Sequence, residues 1–448
     1  MESNLERVIS KASMLNEVRK TPTNKIHNVP LLRLLSSEAV MVAGTISLRL
    51  FIVPRLKTII AHCSFNRCGF SNARLKVQQS KKLTWQWPCF IIGISLQLEA
   101  KSLKEELMPE TRFRVMRVEN KFHLPPVVAT IEVETGELAK VSADVVEVDC
   151  KTEDEIIEAA KDADALLVVF APITRRVLSS LPKLRVAVRY GVGYDTIDVD
   201  AATDNNVIVV NIPDFCLEEV SDHAMALLLA CARLLVSSTG GLKQGRWGEF
   251  QTETTKAPAL FEQTLGLVGC GNIGRLTAKK AQCFGLKTIG YDPYLDKSVA
   301  EKHGITLVSL PELLKDSDYV CLQTPLNKET RHIIGEKELK QMKPTAYLIN
   351  TARGAVADEP ALIKALRERW IAGAGLDVFE VEPIGADNPL LKMENVVLTP
   401  HCAANSSTSL QRLKLSVARE AARVLTGKWP RYWVNKDVKP RVNLVRED

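Results

Sequence analysis

From about residue 126 onward, apolar positions fall into short β-branched runs separated by stretches with helical spacing. Val127–Thr130, Val145–Val148, Leu166–Phe170, Arg185–Arg189 and Val207–Val210 are the runs, with Glu153–Ala160 predicted helical between two of them. Strands that are apolar almost throughout are buried on both faces, as in a parallel sheet covered by helices. Glu218–Leu235 reads as one long Leu- and Ala-rich helix, too apolar for a surface element, that links two domains. A second alternating series follows. It comprises strands at Leu265–Val268, Lys287–Tyr291, Tyr319–Leu322, Tyr347–Ile349, Gly373–Leu376 and Val396–Leu398, with helices predicted at Ile273–Phe284, Ser298–His303 and Glu359–Glu368. Six strands with helical crossovers are the count of a doubly wound nucleotide-binding fold. A last helix, Ser407–Leu425, is long enough to return to the first lobe.

Charge separates this body from what precedes it. Residues 1–125 hold 20 Lys/Arg against 9 Glu and no Asp, whereas residues 126–448 hold 39 Lys/Arg against 44 Asp/Glu. The net +6 therefore belongs to a basic leader, and the acidic body gives no reason to expect nucleic acid as a partner. Residues 1–124 are expected to form a poorly ordered extension, or an upstream start ahead of Met108 or Met116. A nucleic-acid arm around Trp85 and Trp87, a transit peptide and a metal knuckle at Cys63 and Cys68 fit less well. The longest uncharged run, Leu83–Leu98, has 16 residues and contains Pro88, short of the about 20 apolar residues a membrane span needs, so no membrane association is expected. Ten scattered Cys suggest a reducing, cytoplasmic compartment and no disulfide framework; no metal site is expected either.

The segment LGLVGCGNIG carries Gly269, Gly271 and Gly274 as G-x-G-x-x-G, after a predicted strand and opening a predicted helix. The first Gly permits the tight turn, the second lets backbone approach a pyrophosphate, and the third packs helix on strand. Asp292 follows at the end of the next strand, where a carboxylate accepts from ribose hydroxyls and repels a 2′-phosphate, favouring NAD over NADP. Arg353, Glu382 and His401 each follow the end of a predicted strand, the side of such sheets that binds ligands. Hydride transfer at a carbonyl or hydroxyl carbon needs a proton donor and acceptor near neutral pH, which His supplies. A carboxylate orients the imidazole, and a guanidinium grips a substrate carboxylate.

Seven motifs in order now identify a relationship. RYGVGYDTIDVDAA, NIPDFCLEEVSDHA, TLGLVGCGNIGR, LQTPLNKETRHII, MKPTAYLINTARG, GAGLDVFEVEP and NVVLTPH resemble those of the D-isomer-specific 2-hydroxyacid dehydrogenases, over about residues 125–435. The likeness is greatest to the 3-phosphoglycerate dehydrogenase-like and C-terminal-binding-protein-like branches. The resemblance implies an α/β architecture of two Rossmann-like doubly wound lobes. A flavodoxin-like substrate lobe would span 125–225 and be completed by 405–448, with an NAD-binding Rossmann domain at 226–404. It implies Arg353 as substrate-carboxylate anchor, His401 as acid/base and Glu382 as the partner of the imidazole. Substrate contacts are implied for Val192 and Gly193, and cofactor contacts for Asn272, Ile273, Asp292, Thr324, Thr351 and Asp377. Arg189 matches a position that faces the substrate's distal anion in phosphoglycerate enzymes, and a strand-end surface Arg is the alternative. A homodimer is implied as well.

Two departures bear on the substrate. Gln323 stands before the Thr-Pro pair where many members carry another residue, and CAANSSTSLQ after His401 lacks the paired glycines and the Trp–Tyr pair common in both branches. The expected function is NAD-dependent hydride transfer at C2 of a small D-2-hydroxy or 2-oxo acid, with 3-phosphoglycerate among the candidates. The alternatives are an NAD(H)-sensing corepressor-type binding protein and a phosphite-oxidising relative.

Overall fold

The computed structural model describes residues 113–119 and 130–446, together with seven short strands between residues 40 and 86. The short strands pair antiparallel, as a three-stranded sheet and two ribbons, within a unit ending at Leu103. Lys104–Asp448 form a second unit, which holds both lobes.

The first lobe is a five-stranded parallel sheet built from β1 (Phe113–Glu119), β2 (Ala143–Asp149), β3 (Ala165–Val168), β4 (Val186–Arg189) and β5 (Ile208–Val210), in the order β5-β4-β3-β1-β2. That is the flavodoxin-like winding the resemblance implied. Its strand β1, flanked by β3 and β2, lies inside the segment expected to be a poorly ordered extension. The run FRVMRVE explains the miss, because Arg114, Arg117 and Glu119 interrupt a pattern that is otherwise apolar. Arg114 is exposed, whereas Arg117 is fully buried and its charge is matched by Glu119, so the polar letters hide a core strand. A chain starting at Met116 would lack half of it. The strand expected at Val127–Thr130 lies outside the described residues except for Thr130, which is in no strand.

The second lobe is parallel throughout, in seven strands. They are β6 (Thr264–Val268), β7 (Lys287–Tyr291), β8 (Thr306–Leu307), β9 (Tyr319–Leu322), β10 (Tyr347–Asn350), β11 (Gly373–Leu376) and β12 (Val396–Leu398), ordered β8-β7-β6-β9-β10-β11-β12. The strand that sequence reading missed, β8, has only two residues, one of them exposed, so it leaves no apolar run. The expected linking helix is two: Leu217–Ala232, then Leu235–Lys243, broken where Leu234 takes a left-handed φ of 53°. Among the described residues no single helix is long and apolar enough to cross a membrane; this pair, bent by 56°, meets that length and composition only jointly. The last helix, Ser407–Leu425, returns to the first sheet, where Leu410, Leu413 and Val417 join Val115, Val186 and Ile208 in one core.

Candidate active site

In both lobes the carboxyl ends of the strands carry the residues singled out above. After β6 the chain turns at Gly269 with φ of 95°, and a Cβ there would lie 2.8 Å from the Gln323 carbonyl carbon and the Thr324 nitrogen. A Cβ on Gly274 would stand 2.4 Å from the Gly269 oxygen, so helix and turn are in van der Waals contact. Above Gly271, by contrast, nothing among the described residues lies within 4 Å of the Cβ position. Helix Asn272–Cys283 begins at Gly271 with no side-chain cap, so its first N–H groups remain available for an anion. Open space over uncapped donors fits a pyrophosphate.

Asp292 sits beside this turn, but it also builds it. Its Oδ2 accepts from the Cys270 N–H at 2.9 Å and its Oδ1 from the Tyr294 N–H at 3.0 Å. Asn272 Oδ1 accepts from Arg275 at 2.7 Å, and Thr351 Oγ1 accepts from Gln323 Nε2 at 2.9 Å. Ile273 and Val192 both pack against the first-lobe core. Gln323 thus ties the end of β9 to the end of β10, a reason for its presence that its sequence context did not give.

The candidate chemistry separates into two joined pairs. His401 Nδ1 lies 2.6 Å from Glu382 Oε2, with the imidazole on a backbone of φ 48°, a left-handed conformation that costs a β-substituted residue roughly 1–2 kcal/mol. Strain of this kind collects where function over-determines the geometry. Burial raises the Glu382 pKa, but hydrogen bonding and charge from His401, the Phe379 N–H and the Arg353 charge outweigh it and hold the group below the ordinary carboxylate value. His401 is held from behind by Asp377. This fully buried carboxylate accepts from Thr399 Oγ1 at 2.6 Å and from the N–H groups of Cys402 and Ala403 at 2.9 Å, while the Asp377 carbonyl takes the His401 N–H. Asp377 therefore clamps the turn that presents the imidazole. His223, Asp377 and Cys402 place three donor atoms within 4.8 Å of one another, but these carboxylate oxygens are already occupied by hydrogen bonds.

The second pair crosses between the lobes. Arg353, after β10, donates from Nε to Asp195 Oδ1 at 3.0 Å and from Nη1 to the Ala352 carbonyl at 2.9 Å. Asp195 lies on the loop after β4, beyond Gly193, and a Cβ on Gly193 would fall 1.8 Å from Arg353 Nη2. The Val192 carbonyl accepts from Asn211 Nδ2 at 2.7 Å, which fixes that loop. Arg189 is buried, not a surface Arg: it is 7% exposed, stacks over Phe170 and makes no side-chain hydrogen bond or ion pair among the described residues. Burial and the like charge of Arg353 push its pKa down to about 9, against the pull of Asp195. Sequence reading missed Asp195, although it stands in the quoted YGVGYD run, because a loop Asp close to a Gly is usually a turn residue. Behind the loop Tyr190 donates to Glu134 at 2.7 Å, a buried pair 56 positions apart that no local spacing reveals.

Two doubly wound lobes facing a glycine turn, with a histidine–carboxylate pair and an anchored guanidinium at their strand ends, define a dinucleotide-dependent oxidoreductase. Residues 225–403 match the D-isomer specific 2-hydroxyacid dehydrogenase NAD binding domain. A glyoxylate reductase of Korarchaeum cryptofilum is 44% identical over 285 residues, 63% of this chain and 86% of that one. A D-3-phosphoglycerate dehydrogenase of Methanocaldococcus jannaschii is 43% identical over 295 residues, 65% of this chain but 56% of that one. The structure of an Aquifex aeolicus D-lactate dehydrogenase complexed with NAD and lactic acid superposes with a TM-score of 0.61 at 30% identity, covering 70% of this chain and 96% of that one. The chain belongs to the D-isomer specific 2-hydroxyacid dehydrogenase family, and its cofactor is NAD.

Proposed function

We propose that the protein reduces a small 2-oxo acid of the glyoxylate or hydroxypyruvate type to the D-2-hydroxy acid, and runs the reverse oxidation. The observation that carries this reading is the His401–Glu382 pair at 2.6 Å, set at the strand ends with Arg353 held across the cleft by Asp195. Arg353 offers its remaining guanidinium N–H groups to the substrate carboxylate, a charge-assisted and orienting contact. Arg189, buried and without a partner carboxylate among the described residues, faces the other end of the substrate. Because Glu382 occupies Nδ1, Nε2 is the His401 atom that gives a proton to the carbonyl oxygen during reduction and recovers it during oxidation. Glu382 fixes the ring and balances its charge while the proton is held. Bound NAD supplies the hydride acceptor or donor. The named relatives, glyoxylate reductases and a D-3-phosphoglycerate dehydrogenase, support a short 2-oxo acid.

We also infer a homodimer. Leu235, Val236, Leu242 and Trp247, on the helices Leu235–Lys243 and Trp247–Thr254, are each more than half exposed, and apolar side chains clustered this way ordinarily meet a partner.

The test follows NADH oxidation with glyoxylate, hydroxypyruvate, pyruvate, 2-oxoglutarate and phosphohydroxypyruvate, and NAD reduction with phosphite. His401→Ala is expected to lower turnover on the best substrate by about 10² or more while NADH binding is kept. Turnover of none of the oxo acids, or unchanged turnover in the variant, overturns the reading.

A further inference from the structure

Two histidines of the second lobe stand in left-handed backbone, and each bonds a carboxylate of the same short run. His401, with φ of 48°, meets Glu382, and His332, with φ of 54°, meets Glu380 through Nε2. The second pair brings in a third loop, the one after β9, which supplies neither the anchor nor the acid/base. It lies at a junction between the two. Gly354, directly after Arg353, has no room for a side chain: a Cβ there would fall 1.9 Å from the Phe379 carbonyl carbon and 2.4 Å from the Glu380 nitrogen. The backbone that presents Arg353 is therefore pressed against the peptide that leads into Glu382. His332 holds both sides of this contact. Its N–H donates to the Ala355 carbonyl at 2.9 Å, and its imidazole bonds Glu380. The Glu380 N–H in turn donates to Glu359 Oε2 at 2.9 Å, and the Phe379 N–H donates to Glu382 Oε1 at 3.0 Å. Movement at Glu380 thus reaches Glu382 through one peptide and Arg353 through a van der Waals contact. The His332 and Glu380 side chains are 40% and 24% exposed, and an ion pair so open to water contributes little to fold stability. A left-handed histidine kept for a bond of little thermodynamic weight marks a geometric role.

We propose that His332 is a positioning residue for hydride transfer: bonded to Ala355 and to Glu380, it fixes the spacing between the Arg353 anchor and the His401–Glu382 pair. This rests on the roles given to those residues above and extends them to a third loop. The substrate is gripped at its carboxylate by Arg353 and exchanges its proton with His401, so the two groups must stand at one separation. An error in that separation leaves the grip intact and misaligns the proton transfer, and a misalignment of this kind slows chemistry steeply.

The experiment compares full-length wild type with Glu380→Ala, Glu380→Gln, His332→Asn and the double variant His332→Asn/Glu380→Ala. The rate of hydride transfer to the best oxo acid is read in single turnovers, with the dissociation constants of oxamate and NADH and the Tm read in parallel. Glu380→Ala removes the acceptor and is expected to slow transfer by about tenfold or more, with both dissociation constants and Tm held. Glu380→Gln keeps an oxygen for the imidazole N–H and is expected to recover most of that loss. Asn accepts left-handed backbone, but its amide is shorter than the imidazole, so His332→Asn is expected to match Glu380→Ala. The double variant is expected to be no slower than either single one, because both remove the same bond. A merely structural role would lower Tm and weaken oxamate and NADH along with the rate. That pattern, an unchanged rate in Glu380→Ala, no recovery in Glu380→Gln, or additive losses in the double variant overturns the proposal; if the wild type still reduces an oxo acid, the broader functional reading survives it. A wild type that reduces none of the oxo acids overturns both. Should Glu380→Ala fail to fold, His332→Asn against wild type carries the test.

Discussion

Gly193→Ala isolates the anchoring of Arg353 from everything else at the site. Gly193 is not among the residues with positive φ, so an Ala there meets no backbone penalty. Its Cβ would instead fall 1.8 Å from Arg353 Nη2, 2.6 Å from Cζ and 3.0 Å from Asp195 Oδ1. Ordinary contact begins near 3.4 Å, so the guanidinium must retreat by about 1.6 Å. The atoms displaced are the far end of a flexible side chain, and the fold can absorb their movement cheaply. The site cannot, because the bond to Asp195 and the direction of the anchor are lost together. A misplacement of about 1 Å costs roughly 10²-fold in rate, equivalent to about 2.7 kcal/mol of barrier. The assay is kcat/KM for glyoxylate, with the NADH dissociation constant and Tm measured in parallel. The expected result is a drop of about 10² in kcat/KM with the other two unchanged. A variant within about threefold of wild type, or one that loses NADH binding in equal measure, would refute the reasoning.

Other expectations follow from the same geometry. Asp292→Ala should relax the preference for NAD over NADP and also loosen the glycine turn, since its oxygens accept from Cys270 and Tyr294; wild-type protein that binds NADPH more tightly than NADH would contradict this. Glu382 has a native pKa below its ordinary 4.5, so the stability it contributes is fully present above pH 4.5 and fades as pH falls through the lowered value. The Tm difference between wild type and Glu382→Gln should therefore shrink on acidification below that point, and a constant difference down to about pH 3 would count against the pair. Leu242→Asp, on an exposed apolar helix, should halve the mass seen by light scattering; an unchanged mass would place the subunit contact elsewhere.

How far the sequence could be read depended on whether a residue's partner lay nearby in pattern. The strands Lys287–Tyr291, Tyr319–Leu322, Gly373–Leu376 and Val396–Leu398 coincide with their predicted spans, because short, mostly uncharged runs in an alternating strand–helix series have few other solutions. Helix Ser407–Leu425 was equally legible from its apolar stripe. The strand Phe113–Glu119 was not, since its buried Arg117 is matched by Glu119 and Glu134, and ion pairing is invisible to a hydropathy pattern. Of the site, the His401–Glu382 pairing was foreseeable from strand ends and chemistry. The contact of Arg353 with Asp195 joins positions 158 apart in two lobes, and only the folded chain reveals it. Asp377, implied by the resemblance as a cofactor contact, also holds the His401 turn together through its oxygens, a role that no sequence pattern announces.

The closure of the first sheet by the final helix has a consequence for synthesis. A ribosome makes β1 of that sheet before any other part of either lobe, yet Leu410, Leu413, Val417 and Val424, which cover its apolar face, emerge about three hundred residues later. The nucleotide lobe, whose seven strands lie between residues 264 and 398 and whose core includes the earlier helix Leu217–Ala232, can close in the meantime. The part begun first is thus finished last, and the nascent chain carries an uncovered sheet through most of its own translation, when chaperone protection has most to offer it.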